Sequence, residues 1–180
     1  MRYIFISILF VSVFGSCKIS GLTNDFNTLN EQQKQKIVPL NNFKDTKLDV
    51  IYKINGQQLR EELKNHNRSL VYVFKNGCTS TYCKPMMNYV QYAKDNNYSL
   101  FLVMNGYCNL SETTDQYPAS ILYSIDSDFY KETKRHIYSR YFINELTGEA
   151  TNAKSSANKG NLYFFSGVKL DTVLRELPAK

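Results

Sequence analysis

The feature that most constrains the fold is a junction at residues 70–85. The unbroken apolar run Leu70, Val71, Tyr72, Val73 and Phe74 leads through a polar turn into two cysteines and then a proline. Five consecutive residues of β-branched, aromatic and aliphatic type read as a strand buried on both faces, which requires strands beside it and helices above and below. Asn76 and Gly77 make the turn, Cys78 and Cys83 follow, and Pro85 suits the first turn of a helix because it has no N–H to give to an earlier carbonyl. The regular helix is therefore expected to start near Lys84. The dipole and unpaired amides of a helix N-terminus favour a thiolate over a thiol, and the thiolate is the reactive species. Cys78 is the first candidate for a reactive group.

On a continuous helix, residues five apart are separated by about 7.5 Å in rise and point about 140° apart. A disulfide wants Cα atoms within about 7 Å, so bridging Cys78 to Cys83 requires an irregular or unwound first turn. Both sulfurs are then expected in or beside a pliable loop, where a disulfide can open and close. Two other cysteines, Cys17 and Cys108, complete the set of four.

Residues 1–16 carry one positive charge and an apolar run, and end in Gly15 and Ser16 just before Cys17. This pattern reads as a secretory signal, too short for a permanent membrane span. It resembles the signal of bacterial lipoproteins, which implies that Cys17 is diacylated on sulfur and becomes the mature N-terminus. The alternative is an ordinary signal cleaved nearby, leaving Cys17 a free thiol. Either reading places the mature chain outside the cytosol, where disulfides persist, and the lipoprotein reading places it in the cell envelope, anchored to a membrane and facing the periplasm. Residues 17–47 are rich in Asn, Gln, Lys and Thr and lack a sustained hydrophobic period. They read as a lipid-anchored flexible tether, part of which, around Ile37 to Leu40, could dock on the domain.

The domain proper is expected at residues 48–180. Residues 48–54 alternate well enough for a strand, Asn55 offers a helix cap with Gln58 placed for a capping box, and Leu59 and Leu63 follow at helical spacing. After the strand at 70–74 and the cysteine turn, Met86, Met87, Val90 and Ala93 mark one helical face, and residues 99–104 read as a second buried strand. Residues 105–120 are loop-like, and residues 121–123 are a short strand or a helix entry. A helix capped by Ser127 or Asp128 runs to about Leu146, with Tyr130, Ile137, Tyr138, Tyr141 and Phe142 as its apolar stripe and Gly148 as its stop. Residues 162–170 form a hairpin turning at Ser166 and Gly167, and residues 171–177 a last short helix. The order β-α-β-α-β implies parallel central strands.

Composition excludes some classes. The formal charge is +6, but the basic residues are scattered among acids without a long run, so the surface reads as solvated and mixed, with no nucleic-acid partner. His66 and His136 sit in no metal-ligand spacing; no metal and no cofactor is expected.

A central strand running into a paired-cysteine helix, then strand, helix, hairpin and terminal helix, resembles the thioredoxin fold over residues 48–177. The resemblance rests on residues 71–78 and 82–85, with Tyr163, Phe164 and Phe165 of the late hairpin in support. It implies a three-layer α/β sandwich with a central mixed sheet flanked by helices. It also implies thiol–disulfide oxidoreductase activity, with Cys78 the exposed nucleophile and Cys83 its resolving partner, acting on protein thiols or disulfides in the envelope. The cysteines here have four residues between them where that fold has two, and Lys159, Gly160 and Asn161 stand where it has a cis-proline. If Cys83 takes the second position of the motif, Ser80 takes the first. The same residues, Gly77, Cys78, Thr79 and Cys83, are also similar to the bacterioferritin-comigratory peroxiredoxins, which implies attack on a peroxide by Cys78. A third possibility is a non-catalytic lipoprotein in which Cys78 and Cys83 form a structural disulfide. Cys108 is expected to be dispensable for a redox cycle.

Overall fold

The computed structural model describes residues 21–77, 84–116, 120–154 and 160–178. In chain order the elements are α1 (Glu31–Gln35), β1 (Ile37–Pro39), β2 (Ile51–Ile54), α2 (Gly56–Leu63), β3 (Arg68–Phe74), α3 (Met86–Asp95), β4 (Ser99–Met104), α4 (Leu110–Gln116), β5 (Leu122–Ile125), α5 (Arg135–Thr147), β6 (Leu162–Ser166) and β7 (Lys169–Leu174). The strands form one seven-stranded mixed sheet in the order β1-β2-β5-β4-β3-β6-β7. The first five in that order are parallel to their neighbours; β6 runs antiparallel to β3, and β7 antiparallel to β6.

β3 lies inside the sheet, paired with β4 along one edge and β6 along the other, and every residue from Ser69 to Phe74 is buried. The alternation of a strand divides its side chains between two cores. Leu70, Tyr72 and Phe74 join Leu102, Met104, Met86 and Tyr89 on the face covered by α3. Val71 and Val73 join Phe101 and Val103 beneath Leu59 and Leu63 of α2 and Tyr138, Phe142 and Leu146 of α5. The result is an α/β sandwich of three layers, helices on both faces of the sheet.

Local chemistry fixes several elements where expected. The Asn55 side chain accepts from the Gln58 N–H at 2.8 Å and the Gln58 side chain accepts from the Asn55 N–H at 3.0 Å, a complete capping box. β4 spans the expected residues, and α5 stops at Gly148. Other elements differ. α5 begins at Arg135, not near Ser127, because residues 127–133 form turns that carry Tyr130 back to α2. Its hydroxyl accepts from the Gly56 N–H at 2.9 Å and donates to Glu145 at 2.6 Å. Residues 110–116, expected to be loop, form α4, whose buried side chains are Leu110 and Thr113, too few to show as a period. Residues 171–174, expected in a terminal helix, extend the hairpin as β7. Thr172 and Val173 are β-branched, and pairing with Phe164 and Tyr163 decides their conformation.

The largest difference concerns the expected tether, because residues 21–47 are part of the domain. Ile37 pairs with Ile51 in β1, and Leu29, Ile37 and Leu40 are buried in the two cores. Residues 21–26 cross the C-terminal ends of the parallel strands. The Leu22 carbonyl accepts from the Arg135 N–H at 2.8 Å, the Asn24 carbonyl accepts from the Tyr107 N–H at 2.8 Å, and the Asn24 side chain donates to Ser127 at 2.7 Å. Asp25, 7% exposed, receives Arg135 Nη2 at 2.8 Å. Composition hid this because a short, polar arm is held by hydrogen bonds and one ion pair, with only three buried apolar anchors.

Removing one partner of a buried ion pair strands the other. Arg135→Met is expected to cost about 3–5 kcal/mol in urea denaturation. The double replacement with Asp25→Ala should cost less than the two single replacements summed.

Candidate functional site

In sequence the Cys78 to Cys83 stretch stands between Gly77, three residues after the end of β3, and Lys84. Cys78, Cys83 and Cys17 all lie outside the described residues, as does Ser80. What surrounds the stretch is well defined. The Phe74 carbonyl accepts from the Asn105 N–H at 2.9 Å, and the buried Asn76 side chain donates to the Gly106 carbonyl at 2.9 Å, so the ends of β3 and β4 are locked together. Asn76 Oδ1 is buried with no hydrogen-bond partner among the described residues. Gly106 has no room for a side chain, since a Cβ there would collide with the Arg135 guanidinium. Gly77 makes the sharp turn expected of it, with φ at 62°, in the left-handed region. A Cβ on Gly77 would strike the Asn109 side chain.

On the far side of the stretch, Pro85 is the N-cap of α3 and makes no side-chain cap hydrogen bond, and the Asn88 N–H reaches the Pro85 carbonyl at 2.9 Å. Regular helix begins at Met86, two residues after the expected start. Met86, Tyr89 and Ala93 are its buried face; Met87, expected on that face, is exposed. Tyr89 stacks on Tyr72 with ring centroids 4.0 Å apart, and its hydroxyl accepts from the Lys84 N–H at 3.4 Å. Burial, with Tyr89 adding to it, raises the Tyr72 hydroxyl far above the ordinary tyrosine range. Burial likewise pushes Tyr138 up to about 12. These hydroxyls stay protonated at neutral pH and serve as hydrogen-bonding groups, not bases.

Between the two flanks is a pocket of ≈ 300 Å³ whose wall includes Tyr72, Lys75, Gly77, Lys84, Met86 and Gln116. Gly77 and Lys84 are the described residues that bracket the cysteine stretch, so the pocket adjoins it by covalent connection. None of its described lining residues carries a carboxylate. Lys75, Lys84 and the dipole of the α3 N-terminus give it a positive character, the environment that lowers a thiol pKa. A second cavity of ≈ 260 Å³ lies at the opposite end of the strands, between α1, the start of β2 and α4, and its described lining holds neither cysteine nor histidine.

Cys108 sits at the same end of the sheet as the Cys78 stretch, half-buried at the start of α4, with its Sγ donating to Asn109 Oδ1 at 3.7 Å; among the described residues it is the free cysteine. His66 is engaged by Glu62 at 2.9 Å and Ser99 at 2.8 Å, while His136 is exposed. No group of His, Cys, Asp and Glu among the described residues could hold a metal ion. The sequence reading missed Arg135, Asp25 and Asn109, which carry no motif and become neighbours of the site only through long-range folding; it also gave no role to the exposed Lys75 and Lys84, although they flank the cysteines in sequence.

Compared with protein families, curated proteins and solved structures, the chain matches none of them.

Gly77→Ala places a side chain both in the left-handed region and against Asn109. It is expected to destabilise the domain by about 1–2 kcal/mol from the backbone alone, plus the collision. Asn109→Gly, which removes the opposing side chain, should recover the collision part when both stabilities are measured by urea denaturation.

Proposed function

We propose that the chain is a lipid-anchored thiol–disulfide oxidoreductase of the bacterial cell envelope, built on a thioredoxin-like variant of the α/β sandwich and acting through Cys78 and Cys83. The observation that carries the reading is the place of the cysteine pair in the chain: on the connection from the central strand β3 to the N-terminus of α3, beside a pocket whose described lining has two lysines and no carboxylate. In an open parallel sheet, the crevice beyond the strands' carboxyl ends is where reactive groups from several elements can converge.

In the proposed cycle the Cys78 thiolate attacks one sulfur of a partner disulfide. The partner's S–S bond breaks, a mixed disulfide forms, and the other partner sulfur leaves as a thiolate. Cys83 then attacks Cys78, releasing the partner's second sulfur; the partner has gained two electrons and the Cys78–Cys83 pair is oxidised. Run in reverse, the same steps oxidise a dithiol. A C-x4-C loop closes without a regular first turn in the residues it spans, and regular α3 starts at Met86, beyond both cysteines.

The roles are tested by trapping. Cys83→Ser is expected to accumulate a mixed disulfide on Cys78, visible by mass spectrometry under non-reducing conditions, and Cys78→Ser to accumulate little. Faster alkylation of Cys83 than of Cys78 would transfer the attacking role, with Ser80 in the first motif position. Absence of reaction at either would leave the structural-disulfide lipoprotein. The anchor is tested separately: mass spectrometry of membrane-extracted protein should find diacylated Cys17 at the N-terminus, and Cys17→Ala should release a folded domain into the soluble fraction.

A further inference from the structure

We infer that the end of the domain where the parallel strands finish docks on an anionic lipid surface. The inference rests on the proposal that Cys17 is lipidated for its choice of occupant, and extends it from an anchor to a defined face.

The first argument is the length of free chain. The described fold begins at Gly21, and only Lys18, Ile19 and Ser20 stand between it and Cys17. Four residues reach at most about 14 Å when fully extended. A domain anchored so closely cannot stand off from the bilayer, and one face must meet it. Gly21 identifies the face, because a Cβ on it would lie 3.5 Å from Lys75 Nζ, at the end of β3.

The second argument is the surface there. Four large apolar side chains are exposed among the described residues: Leu22, Leu48, Met87 and Phe129. Leu22 is 62% exposed and lies on the arm over the strand ends; Met87, 51% exposed, is in the first turn of α3, at the end of β3; Phe129, 49% exposed, follows β5. All but Leu48 therefore fall at one end of the sheet. Exposed lysines accompany them: Lys75 after β3, Lys84 before α3, and Lys131 and Lys134 between β5 and α5. The acids at this end are largely engaged. Asp25 holds Arg135, Asp126 and Asp128 share Lys53, and Glu132 accepts from the Lys134 N–H at 2.8 Å. Glu112, exposed in the first turn of α4, is the counterweight that remains. Apolar side chains among lysines, at the point where a lipidated arm leaves, match an interface of headgroups and upper acyl chain.

A diacylated terminus anchors stably without help, so what this face adds is the orientation of the domain on the bilayer. The test uses the chain from residue 17 onward, which contains every described element, with Cys17→Ser so that no acyl chain contributes. Flotation with phosphatidylcholine vesicles containing 30% phosphatidylglycerol is expected to carry the protein, with loss at high salt, and pure phosphatidylcholine to carry little. Lys75→Gln and Lys84→Gln should each weaken binding about fivefold, and Leu22→Ser and Phe129→Ser should weaken it, while Leu48→Ser should not. Equal binding to both vesicles, an effect of Leu48→Ser as large as that of Leu22→Ser, or no binding would each overturn the inference. So would a dimer in sedimentation that is lost in Phe129→Ser, which would make the face a contact between copies. Because Cys17 is absent from this test, its failure is separable from failure of lipidation, which mass spectrometry reads.

Discussion

Arg135 joins three parts of the chain that the sequence keeps far apart. Its backbone N–H holds the Leu22 carbonyl, its Nε the Thr23 carbonyl at 2.9 Å, and its Nη2 the Asp25 carboxylate, while its guanidinium plane lies over Gly106 just beyond β4. A guanidinium at 6% side-chain exposure is stable there only because each contact is made. The arm of residues 21–26 therefore depends on α5, and the end of β4 depends on both. Asn76 hangs on Gly106 in turn, so the turn that launches the Cys78 stretch is positioned, two contacts away, by a buried charge.

This chain of dependence explains which parts were legible. β3, β4 and the Asn55 and Gln58 capping box could be read because each is specified by residues adjacent in sequence: an apolar run long enough to need two covered faces, or a cap at fixed spacing. The two-faced burial of residues 70–74 was enough to require helices on both sides, and the three layers follow from it. The arm, α4 and β7 could not be read because their conformations are decided elsewhere. Asp25 is an ordinary surface-type residue until Arg135 arrives from 110 positions away. Thr172 and Val173 have strand propensity, but only β6 beside them turns it into β7. Met87 shows the converse limit: helical spacing placed it with Met86, yet adjacent helical positions point about 100° apart and only one of them can face Tyr72.

At the candidate site, sequence supplied the candidate cysteines and folding supplied the setting of the residues on either side of them. Cys78, Cys83 and Gly77 announce themselves by type and spacing. Their electrostatic environment does not. Lys75 and Lys84 are unremarkable solvated lysines in the sequence, and acquire a common role because the stretch between them starts and ends on one pocket. Tyr72 and Tyr89, stacked beneath, contribute rigidity and not proton transfer, since burial keeps the Tyr72 hydroxyl protonated.

Docking on an anionic surface would act on the thiols as well as on position. A surface potential of about −30 mV raises the proton concentration at the interface and lifts a thiol pKa by about half a pH unit, because 59 mV corresponds to a tenfold change for a single charge. That alone would cut the thiolate fraction about threefold. The dipole at the start of α3 and the ammonium groups of Lys75 and Lys84 act in the opposite direction, and at shorter range than the screened potential of the bilayer. The local groups should therefore prevail while the domain is docked. Exchanging both lysines for glutamine would remove most of that compensation. The thiol pKa of the anchored protein should then rise on anionic and neutral vesicles alike, because the two potentials add and the lysines are missing in both cases.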